Sequence, residues 1–118
     1  MSLQIEVPSG ATARTIFETL AYENGPRVAP DSAPEVGETF VNGTAVALTA
    51  TIAQMQDDVP ANITGVYQLS FATGSPNSLS VGDTVWVEVL ATISSIATRK
   101  VYQFLIVPSD STVTPVIR

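Results

Sequence analysis

The sequence contains no cysteine and no histidine. Those two absences exclude disulfides, thiolate and imidazole metal ligands, cysteine nucleophiles and any catalytic triad with a histidine base. Charge is scarce as well, at 14% of the 118 residues, against about 25% in a typical soluble domain. What charge there is runs to a net of −6, and residues 1–65 supply it, with eight acids and two bases against three of each in the remainder. An acidic body of this kind repels phosphate, so neither nucleic acid nor an anionic membrane is expected as a partner. Long apolar runs are missing too. Stretches such as Phe104-Leu105-Ile106-Val107 fall far short of the ~20 residues a spanning helix needs. The start Met1-Ser2-Leu3 has neither a basic region nor an apolar stretch, so no secretory signal is expected.

What is abundant is Val, Ile and Thr, 37 residues together, interrupted by eight prolines and seven glycines. Branched Cβ atoms pack well on a pleated surface, and no sustained 3.6-residue period competes with the period-two pattern. From Asp83 to Ile93, Val85, Val87, Val89, Ala91 and Ile93 share one face, and Thr84, Trp86, Glu88, Leu90 and Thr92 the other. Ile96 to Val107 follows after only Ser94-Ser95, which predicts a long antiparallel hairpin. Asn42-Gly43 predicts a second, because both residues tolerate positive φ. Tyr67, Leu69 and Phe71 form a short aromatic strand that stops at Gly74-Ser75-Pro76-Asn77.

The expected strands are therefore Leu3–Val7, Arg14–Glu23, Val36–Val41, Thr44–Ile52, Val66–Phe71, Asp83–Ile93 and Ile96–Val107. About seven strands with turn-rich connections imply an all-β, two-layer antiparallel sandwich. Its expected core is Tyr67, Leu69, Phe71, Val85, Val87, Val89, Tyr102, Phe104 and Ile106. Gly25–Pro34 and Gln56–Thr64 read as loops. The domain is expected over residues 11–107, with an N-terminal arm at 1–10 and a C-terminal arm at 108–118.

Candidate chemistry is thin. Asp57-Asp58 and Asn62 offer oxygen ligands, but without the spacing of a calcium loop, and a solvated acidic loop explains them. Glu18, Glu23, Glu35, Glu38 and Glu88 are carboxylates at outward positions, where solubility accounts for them without glycoside hydrolysis. Asn42-Gly-Thr44 and Asn62-Ile-Thr64 match the glycosylation pattern by composition of turn and strand. Arg99-Lys100 is too small for a nucleic-acid stripe and is expected to bridge to Glu88. Trp86, the single tryptophan, is the one side chain suited to anchor a partner or cover a sugar ring, with Leu90 on the same face. In the C-terminal arm, Val113, Val116 and Ile117 are apolar enough to add to a neighbour's edge strand. No catalytic residue, metal ligand or cofactor site is expected.

The segment Ile63-Thr-Gly-Val-Tyr67-Gln-Leu-Ser-Phe71, then Leu79-Ser-Val-Gly-Asp83-Thr-Val-Trp-Val87 and the hairpin Ala91-Thr-Ile to Arg99-Lys-Val-Tyr-Gln-Phe104, resembles immunoglobulin-like β-sandwich modules of tailed-bacteriophage virion proteins. Ala21-Tyr-Glu-Asn-Gly-Pro-Arg-Val28 and Thr39-Phe-Val-Asn-Gly-Thr44 resemble the early strands of such modules. The resemblance implies an immunoglobulin-like sandwich and a non-enzymatic tail, baseplate or head-decoration component. It would be made in the host cytoplasm, located in the virion, and partnered by other virion proteins and by its own copies. A free-standing carbohydrate-binding or adhesion module using Trp86 is the other reading.

Overall fold

The computed structural model describes residues 4–109. Eight strands are formed among them: β1 (Gln4–Pro8), β2 (Thr12–Glu18), β3 (Glu35–Val41), β4 (Thr44–Ala45), β5 (Ala50–Gln56), β6 (Asn62–Ala72), β7 (Thr84–Ile93) and β8 (Ile96–Val107). They make a five-stranded sheet in the order β1-β8-β7-β3-β4 and a three-stranded sheet in the order β2-β6-β5. All pairings are antiparallel except β1 with β8, which is parallel. There is no helix among the described residues. The fold is all-β and sandwich-like.

Period-two alternation fills the space between the sheets. Val85, Val87 and Val89 point inward from β7, Phe104 and Ile106 from β8, and Tyr67, Leu69 and Phe71 from β6. Phe71 and Phe104 meet edge to face across the interior, ring centres 4.9 Å apart, a geometry that sets the positive edge of one ring against the negative face of the other. Of the expected core only Tyr102 is incompletely covered. Val7, Ala13, Phe17 and Val66 are buried in addition.

The β7–β8 hairpin turns through Ser94 and Ser95 at φ of +50° and +66°, a region that disfavours side chains other than Gly, Asn and Asp. Asp31 offsets that cost. Its two carboxylate oxygens accept the N–H groups of Ser94 (3.2 Å) and Ser95 (2.8 Å), while its own N–H donates to Thr92 O. The Asn42-Gly43 turn is secured similarly from a distance: Asn42 Nδ2 donates to Asp83 and Asn42 Oδ1 accepts from Thr84 N–H.

Four expectations are corrected. The segment Thr44–Ile52 is not one strand, because the chain leaves the first sheet after β4 and enters the second at β5. The buried Thr39 hydroxyl makes this crossing tolerable by donating to Val46 O and accepting from Leu48 N–H, groups the ladder leaves free. The strand Arg14–Glu23 stops at Glu18, where Thr19 turns its hydroxyl to Val28 O and the chain returns through a single Leu20–Arg27 bridge. The strand expected from Val66 starts at Asn62. Asp57 tightens the intervening loop by accepting from Val59 and Ala61 N–H groups. Finally, residues 1–10 are not simply an arm: Gln4–Pro8 is an edge strand and Val7 is buried. The alternation of Ile5 and Val7 finds β8's open edge, so the domain begins before Ala11.

Truncating Phe104 or Phe71 to Ala should cost about 3–5 kcal/mol in a denaturant titration; an unshifted midpoint would contradict the packing described. Asp31→Ala should lose about 1–2 kcal/mol, and adding Ser95→Gly should recover part of it. Equal stability of Asp31→Ala and the parent would mean that the carboxylate does not hold the turn.

Candidate functional site

Two surfaces depart from ordinary solvated decoration. The first is the outer face of the five-stranded sheet. Because Val85, Val87 and Val89 turn inward, pleating sends Trp86, Glu88 and Leu90 outward. Trp86 stands 43% exposed. Across the strands it lies between Phe40 of β3 and Gln103 of β8, with Ala45 beyond Phe40. This band crosses the sheet without a charged residue.

Leu90 shares the face but is separated from Trp86 by an ion pair. Arg99 Nη1 lies 3.3 Å from Glu88 Oε2, the cross-hairpin bridge expected from the sequence. The other oxygen of Glu88 accepts from Glu38 N–H at 3.3 Å. Gly37 makes room for this arrangement, since a Cβ there would strike Glu88 Oε1 and crowd the Leu90 side chain. Leu90 is thus partly used up in covering Gly37, and Trp86 with Phe40 is the better contact surface. The candidate residues Val113, Val116 and Ile117 lie outside the described residues.

The second surface is a groove of about 590 Å³ between the free edge of β2 and the first half of β8. It arises from a mismatch of lengths. β1 pairs with β8 only from Gln103 to Val107, so Ile96–Tyr102 has no partner on that edge among the described residues. Opposite it, β2 ends at Glu18. The inward row of the hairpin therefore emerges from cover: Val89 is buried, Ala91 and Ile93 are half-buried, and Ile96 is exposed. Ile16 (56% exposed) and Val66 continue the apolar lining. Around the rim stand Arg27, Lys100 and Glu18, with Arg99 also in the lining but its guanidinium turned to Glu88. Arg27 reaches Glu18 at 3.8 Å, and Lys100 Nζ sits 5.0 Å from the centre of the Tyr102 ring, a cation held over the negative face of an aromatic.

The remaining sequence candidates are dispersed. Asp57 is occupied in its own turn, and Asn62 accepts from Gln56 Nε2. Among the described residues no three acidic side chains are grouped as metal ligands. Glu18 and Glu23 line a shallow hollow at the hairpin tip, Glu35 borders another beside Arg99, and Glu88 lies on the outer sheet face. Sequence reasoning named Trp86 but not Phe40 beside it, nor the groove. Its only signal was that Asp83–Val107 makes a longer hairpin than any strand available to cover it.

Comparison of the chain with protein-family models, curated proteins and solved structures finds no match.

Burial pushes the Tyr102 hydroxyl up from 10.0 to about 12. The neutral form is the one the fold favours, so stability should be intact below pH 10 and fall as pH rises from 10 toward 12, where the unfolded chain ionises and the folded one does not. Thermal melts across this range should show a steeper loss for the parent than for Tyr102→Phe. Parallel curves would mean the phenol is not sheltered.

Proposed function

We propose that the chain is a non-enzymatic structural component of a bacteriophage virion, a tail, baseplate or head-decoration protein that acts through protein–protein assembly. The observation that carries this reading is the uncharged band of Phe40 and Trp86 on an open sheet face. Large aromatics on a low-charge surface are the residues that anchor interfaces. Among the described residues the outer edge of β2 and the Ile96–Tyr102 part of β8 are unpaired, which supports it further, since such edges invite pairing with another chain.

An immunoglobulin-like topology belongs to the same proposal. β2, β6 and β5 correspond to strands B, E and D, and β3, β7 and β8 to C, F and G, with β4 added beside β3. The disulfide and core tryptophan of antibody domains have no counterpart here, and Phe71 against Phe104 fills the middle of the core instead. One feature favours the carbohydrate-binding alternative: an indole exposed on a sheet face offers a flat apolar surface to a sugar ring.

Antibody raised against the chain should label purified phage particles from the lysate that contains it, and the protein should appear there in stoichiometric amount. Its absence from purified particles while present in the lysate would overturn the virion reading. In solution, Trp86→Ser should reduce the assembled mass by light scattering without lowering the melting temperature. A strictly monomeric parent that binds a glycan array through Trp86 would establish the alternative.

A further inference from the structure

We infer that the groove between β2 and β8 receives residues 111–117 of a second copy of this chain as an added strand. This rests on the proposed assembly function and names the contact that would serve it. The acceptor has the three features that strand addition uses. Among the described residues it presents unpaired backbone along Ile96–Tyr102, an apolar floor of Phe17, Val66, Val89, Ala91 and Ile93, and at its rim the Lys100 ammonium beside the Arg27–Glu18 pair.

The segment Ser111-Thr-Val-Thr-Pro-Val-Ile117 matches it in pattern. Extended, it places Val113, Pro115 and Ile117 on one side and Thr112, Thr114 and Val116 on the other. Pro115 has no N–H to donate, so residues 113, 115 and 117 must turn their backbone groups to the outer edge. Thr112, Thr114 and Val116 then bond to the acceptor, and in an antiparallel addition this leaves the Val113, Pro115 and Ile117 side chains on the groove face. Asp110, just ahead of the segment, adds a charge opposite in sign to Lys100 at the rim.

Geometry favours a second copy over the chain's own tail. β8 runs away from the groove, so the tail departs from Val107 at the far end, about 36 Å from Ile96 at 3.3 Å per residue. Folding back along β8, it would meet β1, which occupies that edge from Gln103 to Val107. After a reversal and a detour past those five residues, about three remain before Ile117. Crossing to the free edge of β2 instead uses about three residues for the ~10 Å between sheets, and the rest spans Thr12–Glu18, so again only the last few reach the groove. A copy stacked end to end can offer the whole segment. Such a contact is head-to-tail and builds a ring or a filament.

The test uses two full-length variants. Val113→Asp/Ile117→Asp spoils the tail and leaves the groove open; Ala91→Arg blocks the groove and leaves the tail intact, with Ile16→Lys as a second block at a more exposed position. In a Trp86→Ser background, which removes the outer-face contact, each should be monomeric by light scattering, with an unchanged melting temperature, while Trp86→Ser alone still assembles. Mixed in equal amounts in that background, the tail variant and either groove variant should form a species of twice the monomer mass that grows no further. A mixture that stays monomeric overturns the inference. A tail variant that melts lower with unaltered assembly also overturns it, because the tail then folds onto its own chain. If the tail variant carrying Trp86 assembles like the parent with unchanged melting, the inference fails but assembly through the outer sheet face stands. A parent that is monomeric at every concentration defeats both.

Discussion

Everything in this fold hangs on the register of the β7–β8 hairpin. A slip of one residue would exchange Val85, Val87 and Val89 for Trp86, Glu88 and Leu90 at the core face. Three contacts hold the register from outside the two strands: Asp31 at the Ser94-Ser95 turn, Asn42 with Asp83 at the opposite end, and the Phe71 ring against Phe104. A burial penalty for Glu88 and an open interior where the valines had stood would accompany any slip, so hydrophobic pattern and turn chemistry agree on one arrangement.

That same hairpin generates both candidate contact surfaces. Its outer row puts Trp86 beside Phe40 on a band without charge, and its excess length carries Ala91, Ile93 and Ile96 beyond the cover of β2. Neither surface contains a proton carrier suited to neutral pH or a soft metal ligand. What they offer is shape, apolar area and unpaired backbone, the means by which proteins join to one another.

How much of this was legible in the sequence depended on whether the cause was local. The alternation from Asp83 to Val107 and the Asn42-Gly43 turn are local signals, and the core they imply is found, with Tyr102 alone left half-covered. The Arg99–Glu88 bridge follows from the same register. The crossing between β4 and β5 was illegible because a distant hydroxyl, Thr39, supplies the hydrogen bonds that let the chain leave its ladder. The early end of β2 depends in the same way on Thr19 reaching Val28 O. The strand at Leu3–Val7 was legible from its alternation, but its membership in the domain was not, because it is the distant free edge of β8 that takes it into the sheet. The groove is a difference between strand lengths in two sheets, a property no single segment carries.

The chain has no second tryptophan, so all indole emission comes from Trp86 and reports on the outer sheet face. At high dilution the emission should be red-shifted and readily quenched by acrylamide. Raising the concentration into the assembling range should shift the emission to the blue and reduce quenching as the outer sheet face is covered. Blue-shifted emission that resists quenching at every dilution would place Trp86 inside the sandwich and contradict the register on which the account rests.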